Sequence, residues 1–168
     1  MKTLTYVKER ASVRDYISLT KMYLSLAIGI PGLFAYLLVA PVVGKELPVS
    51  LVAMFLLAMG VCALNQYQER EQDAKMPRTQ KRPLVTGRIS EKEALGVITG
   101  LIVTSMVMIY PILGLTGIGL FASVIVLYNG LYTGMKKINA YAVIPGAVLG
   151  VIPPVVTWLA AGGDVPAP

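Results

Sequence analysis

No histidine occurs in this 168-residue chain, and Cys62 is its single cysteine. Without imidazole there is no histidine metal site and no histidine general base. One cysteine allows neither a disulfide framework nor a thiolate metal site, and Cys62, set in an apolar run, reads as packing. Charge is scarce as well: Asp, Glu, Lys and Arg make up 14% of the residues, against 55% hydrophobic. With a mean hydropathy of +0.68, the chain cannot show water a polar surface, which excludes a soluble globular domain. Nothing in it indicates a nucleic-acid partner. The first twenty residues carry Lys2, Lys8, Glu9, Arg10, Arg14 and Asp15 with no apolar run flanked like a secretory signal, so no cleavage is expected.

What is present is a set of five apolar segments, at 22–43, 49–64, 94–113, 117–133 and 140–161. Each approaches the ~20 residues of helix needed to cross a bilayer core. The fold expected is therefore all-α, a multi-pass transmembrane bundle of about five helices. The second segment is short, but its helix can continue past Asn65 into a polar stretch. Pro31, Pro111, Pro145, Pro153 and Pro154 fall within spans, where neighbouring helices can satisfy the freed backbone groups, and predict kinks. Basic residues are one-sided. Fourteen of the fifteen precede the first span or lie after the second and fourth, and only Lys45 lies opposite. That asymmetry predicts a cytoplasmic N-terminus, with the even loops on the same side.

The informative stretch runs from Asn65 to Leu84. Asn65, Glu69 and Asp73 are spaced i, i+4, i+8, which on a helix places three oxygen-bearing side chains along one face, drifting about 80° and rising about 12 Å. Such a row suits Mg²⁺, which takes oxygen ligands and is commonly held by one or two carboxylates together with substrate phosphates. Arg78, Lys81 and Arg82 follow directly and can neutralise phosphate oxygens. A second polar patch, from Tyr128 to Asn139, ends the fourth segment on the same predicted side and offers Lys136 and Lys137 as further phosphate contacts.

A plainer reading stands beside this one. Mixed charge at a membrane surface commonly fixes topology and no more, with tyrosines such as Tyr128 and Tyr132 in the interfacial belt. Against it, Asn65 and Glu69 sit at the end of an apolar span, where polar groups are costly unless they face a cavity or a partner. The alignment of three oxygen ligands with a downstream basic cluster points the same way.

These residues resemble the UbiA superfamily of intramembrane prenyltransferases, and within it the heme O synthase (protoheme IX farnesyltransferase) branch. The superfamily's first aspartate-rich motif runs Asn, Asp, two spacers, Asp, three spacers, Asp. Asn65, Glu69 and Asp73 occupy three of those positions, and Gln66 stands where many members have Asp. The continuation from Asp73 through Met76-Pro77-Arg78-Thr79 and Arg82-Pro83-Leu84 to Gly87-Arg88-Ile89 is similar to heme O synthases nearly residue for residue. Further matches are Tyr16 to Lys21, Leu131 to Lys137, and Gly146 through Pro153-Pro154 to Trp158.

The resemblance covers residues 1–168 and implies the first part of a nine-helix fold that carries a second aspartate-bearing loop beyond the fifth span. It implies a cytoplasmic-membrane enzyme, with active-site loops on the cytoplasmic side. The reaction implied is transfer of farnesyl from farnesyl diphosphate to heme B, with Mg²⁺ on Asn65, Glu69 and Asp73 and diphosphate on Arg78, Lys81, Arg82, Lys136 and Lys137. The activity is expected to need a C-terminal half, in the same polypeptide or a separate one. Three rivals share parts of this pattern: an aromatic-acceptor prenyltransferase of quinone biosynthesis, a transporter built from five-helix repeats, and a non-catalytic membrane subunit or fragment. The transporter would place polar residues at the midplane, whereas here they collect at one membrane face.

Overall fold

A computed structural model describes residues 11–40, 42–136 and 143–163, and every regular element among them is helical. Three runs are long and apolar enough to cross a bilayer, Met22–Val39, Glu46–Asp73 and Glu91–Met135, and a shorter apolar helix covers Ile144–Ala160.

The chain enters through α1 (Val13–Thr20), opened by Ser12, whose backbone N–H and Oγ each donate to Asp15 Oδ2 at 2.9 Å. This satisfies the polar start of a short helix that has no preceding turn to bond. α2 (Met22–Ala27) and α3 (Gly29–Val39) then form the first span. α4 (Glu46–Asp73) is the second, and it does run past its apolar part, through Asn65 to Asp73.

Glu91–Met135 comprises α5 (Glu91–Ile125), a π-helical turn (Val126–Tyr132) and α6 (Thr133–Met135). Its 45 residues would reach about 68 Å if straight, twice a bilayer core. It is not straight. Gly114 takes φ 54°, ψ −139°, a conformation open essentially to glycine alone. A Cβ on Gly117 would come within 3.0 Å of Ile109, although residues eight apart on one helix are separated by about 12 Å. The chain therefore reverses at Gly114. Along the first arm, Gly60 faces Ile102 and Arg70 meets Glu91, so this arm is antiparallel to α4. Along the second, Val61 meets Asn129, Asn65 meets Thr133 and Glu69 meets Lys136, so this arm is parallel to α4. The predicted third and fourth spans are the two arms of that hairpin. With α7 (Val143–Ala160), which packs on α3, the helices make five passes. The break falls three residues beyond Pro111, while Pro153 and Pro154 lie within the length of α7.

The core lies between these passes, with Met54, Leu57 and Val61 of α4 against Ile109, Phe121 and Val156. A second cluster, Leu19, Ala63, Ile89, Ala94 and Ile98, seats α1 at one end of the bundle. Outward-facing apolar residues such as Leu38 and Leu115, 79% and 80% exposed, are what a lipid-facing surface requires.

Candidate functional site

The hairpin at Gly114 brings the two polar patches of the sequence to one end of the bundle. Because α4 stays helical through Asp73, the predicted row of Asn65, Glu69 and Asp73 is realised, and each member has a partner from elsewhere in the chain. Glu69 Oε1 is 2.8 Å from Lys136 Nζ. Asp73 Oδ2 accepts from Arg82 Nη1. Asn65, 1% exposed, donates from Nδ2 to Thr133 Oγ1 at 2.9 Å. The loop after α4 is folded so that Arg82 can return: Thr79 Oγ1 donates to Asp73 O at 2.9 Å, and Arg82 N donates to Thr79 O at 2.9 Å. Arg78 and Lys81 are exposed and make no side-chain hydrogen bond or ion pair among the described residues. Lys137 lies outside the described residues.

Gln66 has a different task from its neighbours. Its Nε2 donates to Ser18 O at 2.7 Å and to Leu19 O at 2.8 Å, satisfying carbonyls that the end of α1 leaves unpaired. Both amide hydrogens are thereby committed to α1. The next turn of chain holds Lys21 in the left-handed conformation, φ 48°, ψ 46°, at a cost of about 1–3 kcal/mol for a residue with a Cβ. The clip of Gln66 on Ser18 and Leu19 holds that turn in place. Lys21 then lies within electrostatic reach of Glu69, Arg82 and Lys136. Burial lowers the Lys21 pKa, with Arg82 and Lys136 lowering it further and Cys62 and, less, Glu69 opposing them. Lys21, which closes the matching stretch Tyr16 to Lys21, thus lies beside the polar end of the bundle.

Below this polar end lies an apolar cavity of about 500 Å³ between the first, second, fourth and fifth passes, lined by Leu24, Met54, Leu57, Phe121, Tyr132 and Val156 among others. That is within the ~300–1,000 Å³ usual for small-molecule sites. Tyr132 belongs to both regions. It stacks on Tyr128, ring centroids 5.5 Å apart, and Lys136 Nζ lies 5.3 Å from its ring centroid. The arrangement can take an anionic head at the Lys21, Arg82 and Lys136 end and an apolar tail in the cavity.

The donor set also fits Mg²⁺. It is all oxygen, with two carboxylates and an amide on one helix face, and Asn65 Oδ1 has no hydrogen-bond partner among the described residues. Among the described residues no three His, Cys, Asp or Glu side chains are grouped so that they could hold a metal ion. The row rises about 12 Å from Asn65 to Asp73, so adjacent members, not all three, can share one ion, and phosphate oxygens and water would fill its remaining positions, as in Mg²⁺ sites generally.

Residues 28–168 match the UbiA prenyltransferase family. The chain belongs to that family. Its curated relatives include the protoheme IX farnesyltransferase of Oleidesulfovibrio alaskensis, 37% identical over 93% of this chain and 55% of the relative. That of Nitratidesulfovibrio vulgaris is 35% identical over 95% of this chain and 55% of the relative. That of Solibacter usitatus is 33% identical over 91% and 56%. The chain thus spans about half the length of the curated relatives it matches. No solved structure matches it. The row on α4 falls within the matched residues, and the basic residues near it come from the turn before the first span, the loop after α4 and the end of the fourth span.

Proposed function

We propose that this chain forms the N-terminal half of a cytoplasmic-membrane prenyltransferase that transfers farnesyl from farnesyl diphosphate to a vinyl group of heme B. Further helices, in the same polypeptide or another, complete its site. The observation that carries the reading is the continuity between a cationic, carboxylate-bearing pole and an apolar cavity, joined at Tyr132. The one-sidedness of the basic residues supports a cytoplasmic location for that pole.

Asn65, Glu69 and Asp73 would hold Mg²⁺, whose charge neutralises the diphosphate leaving group. In this chain the two carboxylates are already matched by Lys136 and Arg82. Lys21 adds a third cation, so the pole is net positive and suited to a polyanion. As the allylic C1–O bond breaks, its electron pair leaves with diphosphate, and these fixed cations stabilise the developing charge. The faces of Tyr128 and Tyr132 can stabilise the allylic cation, and the cavity keeps water from it until the acceptor π electrons form the new C–C bond; the cation then left on the acceptor carbon is quenched by a water molecule that bonds to it and releases a proton. Arg78 and Lys81, exposed on the loop, serve for capture of the diphosphate.

The test is farnesyl diphosphate turnover in membranes with heme B and Mg²⁺, for the chain extended with the C-terminal half of a relative, beside an Asp73→Ala control. Turnover lost in the control supports the reading. Turnover with a phenolic acid in place of heme would assign the aromatic-acceptor activity, and none with either acceptor would overturn the enzymatic reading.

A further inference from the structure

Asn65 can serve a cation only through Oδ1, and an amide can present either end. What decides between them is Thr133. Its hydroxyl donates to Tyr128 O at 2.7 Å, which spends its one hydrogen and leaves it only lone pairs to offer Asn65. Asn65 must therefore turn Nδ2 towards Thr133, as the 2.9 Å contact has it, and Oδ1 is left over. Both partners are nearly closed to solvent, Asn65 at 1% and Thr133 at 3% exposure, so water cannot substitute for either contact.

The direction of the Thr133 hydroxyl is itself set by the backbone. On an α-helix a threonine hydroxyl bonds the carbonyl three or four residues back. Here the carbonyl four back, Asn129 O, accepts from Gln68 Nε2 at 3.3 Å. The π-helical turn brings the carbonyl five back, Tyr128 O, to the Thr133 backbone N–H and hydroxyl together. The turn is pinned to α4 by Asn129, whose Nδ2 donates to Val61 O at 3.1 Å and to Gln68 Oε1 at 3.2 Å. Single π-turns inside α-helices are common at functional sites, and this one has an identifiable task.

We propose that Thr133 is a positioning residue for the metal site: held as a pure acceptor by Tyr128 O, it fixes the Asn65 amide so that Oδ1 faces the site. This rests on the reading of Asn65 as a ligand. Groups that orient a ligand in this way typically change metal affinity by about 10–100-fold when removed.

The test is Mn²⁺ binding by electron paramagnetic resonance, with inorganic pyrophosphate present, to the 168-residue chain in nanodiscs. Thr133→Val should weaken binding by about tenfold, while Thr133→Ser, which keeps the hydroxyl, should bind like the unsubstituted chain. Asn65→Asp makes both ends of the side chain oxygen, so orientation ceases to matter. Thr133→Val should then cost nothing further in that background, a rescue that a merely structural role for Thr133 would not show. If Thr133→Val does not fold, Thr133→Ala carries the same comparisons. Unchanged binding in Thr133→Val with loss in Asn65→Ala would overturn the positioning role and leave the ligand reading intact. Failure of the rescue would also overturn it. No binding by the unsubstituted chain, or unchanged binding in Asn65→Ala, would overturn the ligand reading and the positioning role together.

Discussion

Lys136 Nζ stands 2.8 Å from Glu69 Oε1, joining the end of the fourth span to the carboxylate-bearing face of the second across 67 residues of sequence. Asp73 is matched in the same way by Arg82. Both carboxylates are thus neutralised before any ligand arrives. A cation must displace Lys136 and Arg82, and a diphosphate gives those two side chains somewhere to go. Metal and diphosphate should therefore bind with positive coupling. Inorganic pyrophosphate is expected to raise Mn²⁺ affinity of the chain in nanodiscs by ~5–150-fold, the usual range for coupled sites. Lys136→Gln should raise Mn²⁺ affinity without pyrophosphate and shrink that coupling. Equal coupling in the variant would contradict the exchange.

Gln66 occupies a position of the aspartate-rich motif yet spends its amide on Ser18 O and Leu19 O. Gln66→Leu should lower stability by roughly 1–3 kcal/mol, the cost of leaving buried groups unpaired. It should change Mn²⁺ affinity far less than Asn65→Ala does. Thermal unfolding in detergent, measured beside metal binding, separates the two effects.

Asp15 ties α1 to the loop after α4 through Arg88, Nε to Oδ1 at 2.9 Å. The backbone N–H of Ser12, with smaller contributions from the Ser12 hydroxyl and Arg88, holds the Asp15 carboxyl below its ordinary value of 3.8, against the opposing effect of burial. A depressed folded-state pKa means stability that is present above the ordinary value and lost as pH falls through the depressed one. Hydrogen-exchange protection factors across α1, which remove the intrinsic pH dependence of exchange, should accordingly stay high at neutral pH and fall below about pH 3.8. Asp15→Asn should show low protection throughout.

Gly114 is the hinge of the hairpin at φ 54°, ψ −139°. Gly114→Ala should cost about 1–3 kcal/mol for a Cβ in that region. Gly96→Ala, at a helical position with open space around it, should be neutral or slightly stabilising. Comparable melting temperatures for the two variants would contradict the assigned turn.

The passes were legible because a bilayer imposes a length and a polarity that show in local sequence, down to the break between residues 113 and 117. The row of Asn65, Glu69 and Asp73 was legible because helical periodicity is local too. The pairing of Glu69 with Lys136 was not, since it depends on which helices lie side by side. Arg88 counted as one more loop charge until the fold placed it on Asp15. The left-handed turn at Lys21 and the π-turn before Thr133 have no local signature, as neither residue type favours its conformation. Amides on α4 hold both, Gln66 the first and Gln68, paired with Asn129 of the turn itself, the second.

The most direct measurement is photolabelling of the chain in nanodiscs, with Mg²⁺, by a farnesyl diphosphate analogue carrying its photoreactive group at the tail. Labels on cavity residues such as Met54, Phe121 and Val156, abolished by Asp73→Ala and by excess pyrophosphate, are predicted. Labels spread over the lipid-facing residues, unchanged by either treatment, would contradict a diphosphate site joined to a prenyl cavity.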